Sequence, residues 1–363
     1  RRGRVAGLSR LVISHRCNAS EVEHDAALEA LSRAIDSLSE IAYLLRSRDQ
    51  EAHRARAFGR VAAVLVRERP DLPNLTAVNR LEAIEGVGAS IAKVLAEVVA
   101  DGVSSYLEKL RAEAGVVLGP VSEISLSGYV GDLHCHSTWS DGKVSLAEMV
   151  VAARDRGYRY LAITDHSPHM PIVHGLDQTR LDAQAAEVEV IASHLPEIKI
   201  LRGIEVDILE DGSLDLADEV LAGLDVVIAS PHIKLRMDRG AMTERMLRAV
   251  ENPHVDVLGH PTGRKPGNRP GGDYDVEAVF KRAAQCHTAV EMDCDPARVD
   301  LSPELARLAA DLGCAITLDS DAHRPEEFDY VPLGIWAARQ AGLSADQILN
   351  WLSPSDLDSW LAH

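Results

Sequence analysis

The stretch Tyr129-Val130-Gly131-Asp132-Leu133-His134-Cys135-His136 decides how the larger, C-terminal part of the chain is interpreted. It begins as a largely apolar run typical of a buried strand and ends with histidines at alternate positions. Side chains two residues apart in an extended chain point to the same side, so His134 and His136 face one way and Cys135 the other. The stretch therefore predicts a strand that ends in a pair of candidate metal ligands.

Segments rich in Val, Ile and Leu recur through the rest of the chain. With the first they number seven, at residues 129–133, 160–164, 199–204, 224–229, 255–259, 288–292 and 314–318. Helical periodicity lies between most of them, as in residues 146–156, 181–194 and 303–312. Strands that alternate with helices over such a length predict an α/β fold with a parallel barrel.

Histidines and acids stand where these predicted strands end, which is where such barrels place their chemistry. A single histidine is more often a surface or hydrogen-bonded residue than a ligand, but a succession at strand ends is hard to reach by chance. The candidate metal ligands are His134, His136, Asp141, His166, Glu205, His232, His260, Asp321 and His323.

The N-terminal part is predicted to be all helical. Apolar residues at helical spacing between Leu28 and Leu45 indicate one amphipathic helix, and residues 55–66 indicate a second that stops before Pro70. The segment from Leu81 to Ala92 contains Gly86-Val87-Gly88, which is typical of a helix-hairpin-helix that binds a DNA phosphate. The alternative, a helix-capping turn in a bundle, is open on the glycines alone.

The N-terminal and C-terminal parts of the chain differ in net charge. The chain has 363 residues with a net charge of −18, which argues against nucleic-acid or anionic membrane binding through the bulk field. Residues 1–115 hold 17 Lys and Arg against 16 Asp and Glu, whereas residues 116–363 hold 21 against 40. Any DNA partner is thus expected to meet a local patch, and the arginines between residues 46 and 69 provide one.

The five cysteines show no C-x-x-C spacing, and the basic start is too broken for a signal-peptide core. A cytoplasmic protein without a membrane partner is expected. The expected division is an uncertain segment at residues 1–20, a helical domain at 21–115, a linker at 116–128 and a barrel domain at 129–363.

Several of these motifs match a known family. The segments around His134-Cys135-His136-Ser137, Thr164-Asp165-His166 and Asp321-Ala322-His323, with Glu205, His232 and His260, resemble the PHP (polymerase and histidinol phosphatase) family. The resemblance implies a distorted seven-stranded (βα)7 barrel and three divalent metal ions.

The resemblance also implies how the ligands are shared. One ion would be held by His134, His136, Glu205 and Asp321, and a second by Asp141, His166 and His323. Glu205 would bridge to a third ion held by His232 and His260. The residues implied to act in catalysis are His134, His136, Glu205, Asp321 and His323. Nitrogen and carboxylate ligands suit Zn²⁺, Mn²⁺ or Fe²⁺.

Within the family, the chain is most similar to bacterial family X DNA polymerases, in both the helix-hairpin-helix domain and the barrel. Their fingers and palm are missing, because residues 110–129 form only a short link, so no polymerase activity is expected. The residues predicted to bind DNA are Arg54, Arg56, Gly86, Gly88, Ser90 and Lys93.

The chemistry expected of the site is phosphoester hydrolysis by a metal-bound hydroxide, because metal coordination lowers the pKa of water towards ~7. Lys234 and Arg264 follow ligands His232 and His260 closely and are expected to hold the phosphate, although ordinary surface charge is an equal alternative. A 3′-5′ exonuclease or repair phosphodiesterase acting on DNA is favoured. The alternatives are a small-molecule phosphatase, such as one for histidinol phosphate, and a non-enzymatic DNA-binding adaptor.

Overall fold

The N-terminal part of the protein is a bundle of helices, as predicted. The computed structural model describes residues 19–46, 52–114, 124–265, 269–298 and 300–362. The helices of this part are α1 (Ala19–Arg46), α2 (Ala52–Glu68), α3 (Leu72–Ala77), α4 (Ala89–Asp101) and α5 (Ser105–Ala114). Apolar side chains such as Leu38, Leu65 and Leu95 are fully buried between them. Most of the predicted N-terminal segment and linker lies outside the described residues.

The predicted hairpin centres on two glycines before α4. A short 3-10 turn, Leu81–Ala83, leads into Gly86, whose φ of +77° is a conformation that favours glycine. Gly88 then caps α4 without any side-chain hydrogen bond. Residues 88–90 are exposed, so the first backbone amides of α4 face solvent.

The C-terminal part is a nearly closed barrel of parallel strands. The seven strands pair in chain order, each with the next. Their bounds are β1 (Gly131–Asp132), β2 (Tyr160–Ile163), β3 (Lys199–Asp207), β4 (Val226–Ser230), β5 (Val257–Leu258), β6 (Ala289–Asp293) and β7 (Ile316–Asp319). A parallel bridge between Cys135 and Ala322 brings the chain after β1 beside the chain after β7. The predicted fold class, a parallel barrel of seven strands that alternate with helices, is confirmed.

Helices surround the barrel and follow most of its strands. They are α6 (Leu146–Asp155), α7 (Gln178–His194), α8 (Asp218–Leu221), α9 (Arg239–Val250), α10 (Val276–Gln285), α11 (Pro303–Asp311), α12 (Val331–Gln340) and α13 (Pro354–Leu361). Ser145, Asp177, Asp238, Asp275 and Ser302 each accept a backbone N–H of the helix that follows. These caps explain why the helices begin where they do.

The interior of the barrel changes character along the strands. At the amino ends it is apolar, with Tyr160, Leu201, Val226 and Ala289 packed together. On β3, the residues two and four positions after Leu201 also point inward, and they are Gly203 and Glu205. The same alternation leads from apolar residues to polar ones on the neighbouring strands, so buried polar groups gather at the carboxyl ends.

Helix α1 joins the bundle to the barrel by packing against α12. The rings of Tyr43 and Trp336 lie with centroids 4.6 Å apart, and Asp36 pairs with Arg339 at 2.5 Å. Arg339 also donates to the carbonyl of Ile124 at 2.7 Å.

Among the described helices, none carries an apolar stretch that could span a membrane.

Candidate metal centre and active site

The nine predicted ligands lie together at the carboxyl ends of the strands. Glu205, on β3, is at their centre and is almost fully buried. Its Oε1 lies 3.0 Å from Nε2 of His232 and 2.8 Å from Nε2 of His260. Its Oε2 lies 2.9 Å from Nδ1 of His166. One carboxylate on β3 thus meets imidazoles that follow β2, β4 and β5.

The histidine pair after β1 faces the same carboxylate and one further acid. Oδ1 of Asp321 lies 2.9 Å from Nε2 of His136 and 3.7 Å from Nε2 of His134. Oε2 of Glu205 lies 3.6 Å and 3.4 Å from the same two nitrogens. These four residues are the set predicted to hold one ion, and the structure brings them together.

A second set lies nearer the surface. Oδ1 of Asp141 is 3.3 Å from Nε2 of His323 and 3.6 Å from Nε2 of His166. His136 contributes a further ligand atom to this set, so it stands between the first two groups. A third group consists of His166, Glu205 and His232. The predicted third set named His260 in place of His166, and both imidazoles contact Glu205.

Unsatisfied buried atoms show that this cluster fits metal ions. Seven of its atoms are buried and lack a hydrogen-bond partner among the described residues: His134 Nε2, His136 Nδ1, Asp141 Oδ1, His166 Nδ1, Glu205 Oε2, His232 Nε2 and His260 Nδ1. Leaving a buried polar group unpaired costs free energy, and cations coordinated by these lone pairs remove that cost. The Cys135 thiol turns away to the carbonyl of Ala162 at 3.2 Å, as predicted, so no thiolate joins the set.

Two groups of the cluster, Glu205 and His136, have ionisation states that suit metal binding, whereas for His134, His232 and His323 the neighbouring acids outweigh burial and raise the pKa. Burial raises the pKa of Glu205, but His232 and the other imidazoles outweigh burial and hold it well below the usual value. Burial and the neighbouring His323 and His166 lower the pKa of His136 to about 3. An ionised carboxylate and a neutral imidazole are the forms that donate lone pairs to a cation.

Acids behind the cluster orient its imidazoles. Glu291 Oε1 lies 2.6 Å from Nδ1 of His134, and its Oε2 accepts the backbone N–H of His260 at 2.5 Å. Asp207 Oδ1 lies 2.8 Å from Nδ1 of His232. Such partners fix the ring that offers its other nitrogen to a metal. The pattern of the sequence does not predict this role of Glu291, although the residue stands at the end of the sixth predicted strand.

Asp165, next to His166 in the chain, holds a neighbouring loop in place. It accepts hydrogen bonds from Ser137, Ser140 and Gln184. These contacts fix the loop that carries His136 and Asp141. Asp165 therefore positions two candidate ligands through the backbone rather than through a ring.

The cations at the mouth of the site are not the predicted ones. Lys234 is exposed and lies 3.6 Å from Oε2 of Glu210. Arg264 lies close enough to the hydroxyl of Tyr43, on α1, to lower its pKa, although burial raises that pKa by more. Neither belongs to the lining of the cavity that opens onto the ligands, which has a volume of about 410 Å³. The structure thus places these two residues outside that lining, and their role in phosphate binding stays a prediction.

Other cations line that cavity: Lys143, Lys265, Arg298 and Arg324. Arg298 is held between two acids, with Nε at 3.3 Å from Asp293 Oδ2 and Nη2 at 3.6 Å from Asp321 Oδ2. It follows β6, the strand that contributes no histidine to the set. A motif search centred on histidines therefore passes over it.

Comparison with known proteins agrees with this geometry. The sequence profile of the PHP domain matches residues 132–263. A probable phosphatase of Syntrophotalea carbinolica is 32% identical over 238 residues, which are 62% of this chain and 94% of that protein. The chain belongs to the PHP family. As a PHP protein it is a metal-dependent phosphoester hydrolase.

The similarity extends to a larger PHP protein. The DNA polymerase/3'-5' exonuclease PolX of Bacillus subtilis is 40% identical over 238 residues, which are 66% of this chain but only 42% of that protein. Among solved structures, a putative histidinol phosphatase of Listeria monocytogenes matches 54% of this chain and 96% of its own, with 14% identity and a TM-score of 0.43. A histidinol phosphate phosphatase of Lactococcus lactis, complexed with zinc, L-histidinol and phosphate, matches 54% of this chain and 87% of its own at 18% identity and a TM-score of 0.41.

The residues predicted to bind DNA lie outside the PHP barrel and are all on the surface of the helical part. They are Arg54, Arg56, Gly86, Gly88, Ser90 and Lys93. The guanidinium of Arg54 lies 5.3 Å from the ring centre of Tyr106, and Lys93 lies 3.8 Å from Oε1 of Glu97. Their role in DNA binding stays a prediction.

Proposed function

We propose that this PHP protein hydrolyses phosphodiesters at DNA ends, as a 3′-5′ exonuclease or repair phosphodiesterase without polymerase activity. The observation that carries the proposal is the charge of the cavity mouth. Outside the ligand set, Lys143, Lys265, Arg298 and Arg324 stand against two acids, Asp295 and Glu327. A surplus of cations favours a polyanionic strand over a small substrate that carries its own ammonium group.

Three divalent ions are proposed at the cluster. The sets are His134, His136, Glu205 and Asp321; Asp141, His166 and His323; and Glu205, His232 and His260. Bound there, Zn²⁺, Mn²⁺ or Fe²⁺ would lower the pKa of water towards ~7 and neutralise charge on phosphoryl oxygens.

The side chains around the cluster then have separate tasks. Arg298, fixed by Asp293 and Asp321, and Lys265 bind the non-bridging oxygens of the phosphate. This assignment takes the place of Lys234 and Arg264. Glu291 and Asp207 keep the rings of His134 and His232 in one orientation. Because Arg298 is held from two sides, it needs little rearrangement when the phosphate enters.

The helical part is proposed to deliver the DNA strand. The positive φ of Gly86 allows a tight turn, and the first amides of α4 are exposed after Gly88. Such amides bind phosphates without reading the base sequence. Arg54, Arg56, Ser90 and Lys93 lie on the same part of the chain, which would add to a sequence-independent contact.

A small-molecule phosphatase is the second candidate. It is favoured by the relative in Syntrophotalea carbinolica, which is named a probable phosphatase and is covered over 94% of its length. In that case the helical part would serve structure or association.

The deciding experiment compares the two substrate classes. The purified protein, loaded with Mn²⁺, is expected to shorten single-stranded DNA that carries a label at its 3′ end and to leave histidinol phosphate largely intact. His134→Ala is expected to abolish the activity, whereas His194→Ala, which changes an exposed histidine on α7, should not. Hydrolysis of histidinol phosphate but not of DNA would overturn the proposal.

A further inference from the structure

The mouth of the metal cavity has an apolar side that neither the ligands nor the cations explain. Its lining includes Met170 and Ile172, which follow β2, and Tyr330, which follows β7. We call these three residues the apolar wall. Ile172 is the most exposed large hydrophobic residue of the described chain, with 84% of its surface accessible. A single exposed aliphatic residue is ordinary, but this one has apolar neighbours in the cavity that opens onto the candidate metal ligands.

The segment that carries Ile172 is held at its base. Leu176 donates its backbone N–H to the carbonyl of His166 at 2.7 Å. Arg180 donates to the carbonyl of Gly175 at 2.8 Å and to that of Trp139 at 2.5 Å. Val173, next to Ile172, is buried. The exposure of Ile172 therefore belongs to an anchored turn.

The two residues of the wall that follow β2 come from a different side of the barrel than Lys265 and Arg298, whereas Tyr330 follows β7. Lys265 follows β5 and Arg298 follows β6, whereas Met170 and Ile172 follow β2, and the strands run around the barrel in chain order. A phosphate held by the two cations and the metal cluster leaves the organic group attached to it to extend towards the wall. The cavity of about 410 Å³ lies within the range of small-ligand sites.

We propose that the apolar wall binds the nucleobase of the nucleotide whose phosphate lies at the metal centre. This inference rests on the proposed action on DNA ends and names the part of the substrate that the site recognises. Aliphatic and aromatic contacts bind the flat face of a base, which all bases share, so little base preference is expected. The wall would thus bind a terminal nucleotide of any sequence.

The test measures equilibrium binding rather than turnover. The probes are the phosphonate analogue of deoxyadenosine 5′-monophosphate, whose P–C bond resists hydrolysis, and the matching analogue of 2-deoxyribose 5-phosphate, which lacks the base. Calorimetric titration of the Mn²⁺-loaded protein gives both Kd values. The wild type is expected to bind the nucleotide analogue more tightly.

The variant is Ile172→Ala. The isoleucine side chain is so exposed that its truncation should not disturb the core. The variant is expected to raise the Kd of the nucleotide analogue by about fivefold, through lost apolar contact, and to leave that of the base-free analogue unchanged. Val190→Ala, which truncates a 60% exposed valine on α7, is the matched control and should change neither Kd.

Equal weakening of both analogues, no change in either, or failure of the wild type to prefer the nucleotide analogue would overturn the inference. Its fate is separable from that of the proposed function. A protein that hydrolyses histidinol phosphate and not DNA, but whose Ile172→Ala variant loses affinity only for the nucleotide analogue, would keep the apolar wall and lose the action on DNA ends.

Discussion

Two buried glutamates, one in each part of the molecule, show how differently the parts use charge. Glu40, in the helical part, is 3% exposed and accepts two hydrogen bonds of 2.6 Å from the guanidinium of Arg111. Glu205, in the barrel, is 1% exposed, and its ion pairs among the described residues are all with histidines. The chain itself neutralises Glu40, whereas Glu205 keeps an oxygen without a hydrogen bond. A charge that the fold satisfies is structural, and one that the fold leaves open is reserved for a bound cation.

The largest expected effect comes from removing the open charge. Glu205→Gln keeps the shape of the side chain but not its charge, so the protein should lose bound metal. Hydrolysis should fall on the order of 10³-fold, because several kcal/mol of metal-derived stabilisation is lost. Elemental analysis and phosphoester hydrolysis measure the two effects. Glu210→Gln, an exposed acid that follows the same strand, is the control. Full metal content in the Glu205 variant would contradict the comparison.

The satisfied charge should matter for folding instead. Arg111→Met leaves Glu40 buried without its partner and is expected to lower the free energy of unfolding by about 3–5 kcal/mol. Urea unfolding followed by circular dichroism measures this, and metal content should not change. Arg33→Met breaks the exposed pair with Glu29 and should cost less than about 1 kcal/mol. Equal destabilisation by both variants would remove the distinction between buried and exposed pairs.

A smaller effect is expected one contact behind the metal ligands. Glu291→Gln leaves every candidate ligand in place but weakens the orientation of His134, so metal affinity should fall about 10- to 100-fold. Competition with a chelator measures the affinity. Glu187→Gln, which changes an acid bonded to Trp139 Nε1 at 2.8 Å, should leave it unchanged. An unaltered affinity in the Glu291 variant would show that the ring is held by packing alone.

The smallest effect concerns the surface of the helical part. Arg56→Ala should weaken single-stranded DNA binding about threefold for every sequence and reduce the salt slope by about 1, because one phosphate contact is lost. Fluorescence anisotropy at several salt concentrations measures both. Arg248→Ala removes an exposed arginine of α9 on the barrel and is the control. If both variants behave alike, the helical part makes no special contact with DNA.

The seven strands and the nine clustered residues could be predicted because their signals are local. An apolar run reports a buried strand, and residues at its end or two apart share a side. The cations could not be predicted in this way. Lys234 and Arg264 are close to candidate ligands in sequence. In the structure, however, Lys234 lies near Glu210, and Arg264 lies near Tyr43 of the helical part.

By itself, the sequence determined the barrel, its seven strands and the set of histidines and acids at their ends. Only the tertiary structure decided which groups meet across the barrel. Glu291 orients His134 from 157 positions away, and Glu40 finds Arg111 across 71. Arg298 follows β6 and pairs with Asp321, which follows β7, because these two strands are neighbours in the barrel. This pairing holds Arg298 at the mouth of the metal cavity. Such pairings depend on how distant segments pack, and local spacing carries no information about that.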